Sequence, residues 1–401
     1  MIRKILITAT ALTAFAVMPA TADGLGKVKI GVLNDMSSIY STGGGIGSVT
    51  AAKLAVEDFL KDNPNPGFEI EIVGADHQNK ADVGSAVARK WYEAENVDLV
   101  IDIPNSGVAL AVSEVAKQFN KVVIVSGAGT TKLTGELCNA NTIHWTWDTY
   151  ATAQGTVRAT AGPGADKWFI IAADYAFGIN LEENAKAQLK ELGYTVTGTV
   201  HHPFNNADFS SFLLQAQDSG ANVVAFANAG GDFTTGAKQA AEFGLVKRGI
   251  KVAALWGSTI ELTGLGLEVG QGLNFMVPFY WDANERTRAL SERFNKVHPD
   301  ELISPVQAGV YSGTLGFLRG IQKAQTHDGA KIVEAIKTLE FDDVFGKGQV
   351  RADGRKVHEM HLYRAKTPAE SKGKWDLMEH VKTIAADEAF SPPSKDCSLV
   401  Q

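Results

Sequence analysis

Cysteine is nearly absent from this chain, which carries two, Cys138 and Cys397, in 401 residues. Neither has a second ligand at metal spacing, so a thiolate metal centre is not expected. In an exported chain an even pair implies one disulfide. It would tie the last residues to a loop far upstream. Long apolar runs are scarce as well. The only one free of charge over any distance, Ile5 to Met18, is shorter than the roughly 20 residues a membrane-spanning helix needs. Positive charge is in deficit, with 38 Lys and Arg against 45 Asp and Glu and a net charge of −7. That balance argues against nucleic acid or an anionic membrane as partner, while leaving room for a local anion pocket. Catalytic signatures are missing too. There is no G-x-S-x-G and no G-x-x-x-x-G-K-[ST]. Gly45-Ile46-Gly47-Ser48-Val49-Thr50 lacks the third glycine of a dinucleotide fingerprint. No cofactor is implied.

The N-terminus shows what is present. Arg3 and Lys4 precede the apolar run, and Ala20-Thr21-Ala22 closes it. This is the layout of a secretory signal peptide over residues 1–22, with cleavage after about Ala22 and export to the periplasm. Losing Arg3 and Lys4 takes the net charge from −7 to −9. At 45% apolar and 21% charged residues the composition is globular, and the remaining length suits two domains.

The chain alternates strand and helix. Short apolar strands at 28–33, 68–73, 98–103 and 121–125 are separated by helical periodicity at 46–60, 82–95 and 107–119. The pattern restarts with strands at 167–172, 194–200, 222–227 and 251–255 and helices at 178–192, 208–218 and 233–243. This order predicts an α/β fold of two lobes, each a mainly parallel sheet flanked by helices. Helices at 284–296, 305–324 and 329–339 and a strand at 357–364 complete the lobes.

In open α/β sheets ligands bind beyond the carboxyl ends of the strands. Those ends hold Ser38 and Tyr40 before Gly43-Gly44-Gly45, then Asn105 and Ser106, then Ala128, Gly129 and Thr130. In the second half they hold Tyr175 and Phe177, Asn228 and Phe233, and Trp256 and Ser258. Glycine lets backbone approach a ligand. Hydroxyls and helix N-termini favour an anion, and the aromatics supply walls. A small carboxylate fits that set. Trp145, Trp147, Asp148 and Tyr150 form an aromatic cluster near the crossover between lobes, read equally well as hinge packing or ligand contact. His77 ends a strand and is read as a structural histidine rather than a general base. His201 and His202 lack the companions of a metal site. His358 and His361 would point to opposite faces of one strand and so could not share a metal.

Several segments, in order, resemble the periplasmic substrate-binding proteins of branched-chain amino acid ABC transporters. They are VKIGVLNDMSSIYSTGGGIGSVTAAKLAVEDF, VIVSGAGTTKLTG, ADYAFG, ADFSSFLLQAQDSGANVVAFANAGGD and VQAGVYSGTLGFLRGI. The resemblance covers roughly residues 27–390. It implies a type I periplasmic-binding fold with three hinge crossovers and a closing cleft. It also implies a monomer that delivers its ligand to an inner-membrane ABC permease. Lobe boundaries follow as 23–148 plus about 279–345, and 149–278 plus about 346–385, with a tail at 386–401. By position, Asn105-Ser106 and Ala128 to Thr130 match the family's carboxylate-binding segments, and Phe177 and Phe233 fall near its aromatic positions. Trp256, Ser258 and Glu261 fall where amino acid binders place an acidic group. Glu261 is expected to lie too far along to serve. The chain looks closer to a subgroup for aromatic acids, so a benzoate or phenylpropanoid derivative is favoured as ligand. A branched-chain or related amino acid is the alternative. An exported hydrolase or amidase, and a sensing module for a receptor kinase, are alternatives of other classes. The resemblance makes Thr130 a carboxylate ligand, so Thr130→Ala is expected to weaken binding.

Overall fold

The computed structural model describes residues 24–400; the expected signal peptide and cleavage site fall outside them. The first half runs β1 (Gly26–Asn34), α1 (Gly45–Asp62), β2 (Phe68–Asp76), α2 (Ala81–Glu93), β3 (Leu99–Asp102), α3 (Ser106–Phe119), β4 (Val122–Val125) and β5 (Thr142–His144). The second runs α4 (Thr149–Thr160), β6 (Lys167–Ala173), α5 (Ala176–Glu191), β7 (Thr195–His202), α6 (Ser210–Asp218), β8 (Val223–Ala227), α7 (Gly230–Glu242), β9 (Lys251–Ala254), α8 (Thr259–Leu265), α9 (Leu267–Gly270) and β10 (Asn274–Val277). Then come α10 (Glu285–Asn295), α11 (Pro305–Ala324), α12 (Gly329–Lys337) and five short strands. These are β11 (Phe341–Asp343), β12 (Gly346–Val350), β13 (Lys356–His358), β14 (Met360–Ala365) and β15 (Met378–Ile384).

Two parallel sheets organise these pieces, in the orders β2-β1-β3-β4-β5 and β7-β6-β8-β9. Because side chains alternate across a strand, each sheet feeds two cores. Ile30, Leu99, Ile101, Val122 and Ile124 face one side of the first sheet, and Leu33, Val100, Val123 and Val125 the other. In the second sheet Trp168, Ile170, Ala172 and Ala225 oppose Phe169, Ile171, Val224 and Phe226. Burying each large apolar chain contributes about 1.5–3 kcal/mol, so these four faces dominate the stability. The first sheet with α1, α3 and α11 forms the N-lobe, and the second with α4, α5, α7 and α8 forms the C-lobe.

The chain passes between lobes at 145–148 and 278–284 and again before β14. The strand expected at 357–364 is in fact two. Glu359 interrupts it, so β13 joins β11 and β12 while β14 joins β10 and β15. His358 and His361 therefore sit in different sheets, not on opposite faces of one strand. His358 is buried against the Phe345 ring, and His361 lies beside His380. The crossing also buries charge that periodicity did not reveal. Lys356 Nζ bonds Asp343 (2.8 Å) and Ser312 (3.2 Å) and lies over the Trp145 ring. Arg355 donates to the Trp147 carbonyl (3.0 Å) and stacks on Phe390. Cys138 and Cys397 form the disulfide, which fastens the tail to the loop after β4.

Candidate functional site

The N-lobe wall of the cleft is built from backbone. β1 leads into the tight turn at Gly43 and Gly44 that opens α1. Ser304 Oγ donates to the Gly43 carbonyl (2.5 Å) and Gln307 Nε2 to that of Gly44 (2.9 Å). Ser304 and Gln307 also cap α11 reciprocally, with Pro305 at its first turn. β3 and β4 add Pro104 and Gly127. The N-termini of α1, α3 and α11 converge here, and none carries an acidic residue in its first turn. With no lysine or arginine in its lining, this wall relies on the helix dipoles, which favour negative charge at these three N-termini.

The C-lobe wall is made of side chains. Tyr175 and Phe177 open α5, Ala229 and Gly230 open α7, and Trp256 and Ser258 precede α8. Here the starts of α7 and α8, though not that of α5, carry an acidic residue in the first turn. The Glu261 carboxylate accepts from Ser258 N (2.9 Å), Ser258 Oγ (2.7 Å) and Gly230 N (3.2 Å). Asp232, in the first turn of α7, accepts from the amides of Asn205 and Asn206 in the loop before α6. Gly230 has a φ of 58°, and a Cβ there would lie 2.8 Å from the Ile39 carbonyl, so glycine lets the lobes meet.

Between the walls lies a cavity of about 60 Å³. Trp147, from the hinge, stacks on Trp256 with centroids 3.7 Å apart and planes 10° apart. Phe177 meets Trp147 edge-on at 5.8 Å. The hydroxyls of Tyr40 and Tyr175 pair directly across the lobes, and burial raises both phenol pKa values. Ile39, Ile260 and Val306 complete the apolar lining.

Of the residues singled out from sequence, Tyr40, Tyr175, Phe177, Trp256 and Ser258 line this cavity. The others lie elsewhere. Ser38 is exposed, its hydroxyl donating to Asp35 (2.7 Å). Asn105 caps α3 by accepting from Val108 N (3.2 Å). Ser106 is fully buried with no partner for its hydroxyl. The Ala128 carbonyl meets the ring nitrogen of His144 (2.8 Å), and the Gly129 carbonyl accepts from Thr149 N (2.8 Å). Thr130 Oγ1 donates to Asn180 Oδ1 (3.3 Å), a contact between lobes, and is fully buried. Tyr150 lines a separate polar cleft with Arg351 and Asp353. Asn228 bonds His202 (3.0 Å), and Phe233 packs on Phe226 in the core. His77 is buried, accepts from Asn79 N (3.0 Å), and is pushed down to about 4 by burial.

Glu261 corrects its expectation, because α8 begins at Thr259 and its first turn folds the carboxylate back onto the cavity wall. The Ser258-Thr259-Ile260-Glu261 spacing, a capping-box pattern, was the signal for it. Trp147 and the Gly43-Gly44 and Gly127 wall were also under-read. The glycines contribute main chain, whereas Trp147 contributes its ring, the ligand-contact side of the two readings left open for it.

A two-lobed α/β frame with an aromatic-lined cavity at the strand ends defines the class of type I solute-binding proteins. A sequence model of the periplasmic binding protein family matches residues 27–374, and the chain belongs to that family. A periplasmic binding protein from Burkholderia mallei is 40% identical, with a TM-score of 0.89 over 94% of this chain and 100% of that one. A branched-chain amino acid ABC transporter periplasmic ligand-binding protein from Burkholderia xenovorans LB400 is 34% identical, with a TM-score of 0.81 over 92% and 100%. Leu/Ile/Val-binding protein homolog 6 of Brucella melitensis is 26% identical over 89% of this chain and 90% of its own. The chain is a binding protein, not an enzyme. No helix among the described residues is long and apolar enough to cross a membrane.

Proposed function

We propose that this protein is the periplasmic receptor of an ABC importer and captures a small carboxylate with an aromatic body. The observation that carries the reading is the pairing of an electropositive backbone wall with an aromatic wall. The carboxylate sits against the starts of α1, α3 and α11. The ring sits among Tyr40, Trp147, Phe177 and Trp256. At about 60 Å³ the closed cavity is smaller than the ~150 Å³ that holds benzene in an engineered core, so a ring enters by parting the Trp147–Trp256 stack. The closed lobes then deliver the ligand, as a monomer, to an inner-membrane permease. Closure follows from contacts available only when both walls touch the ligand.

Glu261 favours a second reading, a branched-chain or related amino acid whose ammonium would meet that carboxylate. Calorimetric titration of wild type and Glu261→Gln separates the two. Under the first reading 4-hydroxybenzoate binds wild type and the variant within a few-fold of each other, and leucine binds neither. Leucine binding that is lost in Glu261→Gln would overturn it in favour of the second.

A further inference from the structure

Asp102 ends β3 directly beneath the glycine floor of the cavity. A Cβ on Gly127 would lie 3.0 Å from its Oδ1, and one on Gly44 would lie 3.7 Å from its Oδ2. The residue is fully buried, and neither carboxyl oxygen makes a hydrogen bond of standard geometry. Its immediate neighbours, Ser48, Asn34 and Ser126, are neutral. No charged group acts on it. β1 is followed by Asp35, whose carboxylate is taken by the amides of Ser38 and Tyr40 and by Asn79. β2 ends in Asp76, bonded to Ser37 and Gln78, followed by the neutral His77. Beyond β4, His144 is held neutral by burial. On α11, Tyr311 is turned to Asp58. Asp102 and Ile103 also hold φ of 93° and 56°, values that non-glycine and above all β-branched residues avoid. Such strain persists only where the surroundings impose it.

An ionised carboxylate at this point would undercut the electropositive wall against which the ligand's own carboxylate must rest. We propose that Asp102 is the proton acceptor of the ligand site, so that a carboxylate is captured together with one proton taken up beneath the Gly44–Gly127 floor. Burial, opposed by the three neutral neighbours, pushes the empty protein's Asp102 up to about 7. A bound anion raises it further. The proton comes from solvent, and no bond is made or broken in the ligand. The proposal rests on the carboxylate reading above.

The test is titration calorimetry with 4-hydroxybenzoate and leucine in two buffers of different ionisation heat, on wild type and Asp102→Asn. Wild type should take up roughly half a proton at pH 7, and its Kd should weaken about tenfold per pH unit above that. Asp102→Asn should take up none and lose the slope. Asp102→Gly suits the left-handed backbone and gives a second carboxyl-free protein if the Asn variant folds poorly. A pH slope that survives in either variant, or a wild type that takes up no proton, would overturn the proposal. If neither probe binds, the carboxylate reading fails. The pH dependence of the unliganded protein's Tm then still decides on Asp102, because identical profiles for wild type and Asp102→Gly would refute its elevated affinity for the proton.

Discussion

Each lobe brings three helix N-termini to the cleft, yet the two walls use them differently. In the N-lobe the starts of α1, α3 and α11 carry no acidic residue, and the surface is glycine, proline and main chain. In the C-lobe, Asp232 and Glu261 fill the starts of α7 and α8, and the surface is Tyr175, Phe177 and Trp256. The same αβ unit thus presents a wall free of acidic residues in the N-lobe, where α3 and α11 are capped by the neutral Asn105 and Ser304. In the C-lobe it presents a wall of rings, with a carboxylate at two of its three helix starts. Division of labour between the lobes follows from a handful of residues, not from a difference in fold.

The largest effect expected is from Trp256→Ala. It removes a stacked, buried ring from the C-lobe wall and should cost about 3–5 kcal/mol in denaturant unfolding. The matching N-lobe change, Gly127→Ala, places a Cβ 2.6 Å from Pro104 Cα and should cost about 1–3 kcal/mol through overpacking. Equal costs would erase the contrast between a wall of rings and a wall of backbone. Next is the pH profile set by Asp102. The folded protein holds this proton up to about 7, whereas the unfolded chain releases it near 4. Native protein therefore binds more protons than unfolded between those values, and stability falls as pH rises through that window. Relative to Asp102→Asn the loss should approach about 4 kcal/mol and level off above pH 7, read from Tm against pH.

Asn180→Ala should be smaller. Its Oδ1 receives Thr131 N (2.9 Å), Thr149 Oγ1 (2.6 Å), and the hydroxyls of Thr130 and Thr131, joining C-lobe α5 to the N-lobe. Losing it leaves buried donors unpaired, costs about 1–3 kcal/mol, and should expand the unliganded protein in small-angle scattering. Tyr40→Phe removes only the paired hydroxyl over the cavity mouth. A loss of about 0.5–1.5 kcal/mol in the same unfolding assay is expected.

The two lobes were legible from sequence because β1, β3, β4, β6 and β8 are short runs of mostly buried apolar residues between clear helical periods. The aromatic half of the site was legible for a related reason. Tyr175, Phe177 and Trp256 are bulky side chains directly after strands. The polar half was not. Asn105 and Thr130 have side chains suited to a carboxylate, but each is engaged by a nearer partner, an α3 amide and Asn180. The wall instead comes from main chain at Gly44, inside the glycine run read at the first strand end, and at Gly127. Asp102 escaped notice because a carboxylate ending a strand looks solvated until the glycine turn closes over it.

The most direct measurement is a thermal-shift comparison of residues 23–401 with benzoate, 4-hydroxybenzoate, leucine and phenylalanine. A ligand at a hundredfold excess over its Kd stabilises by about 2.7 kcal/mol. An anion-seeking wall facing a ring-seeking wall predicts that the two benzoates raise Tm and leucine does not. A shift with leucine and none with either benzoate would contradict it.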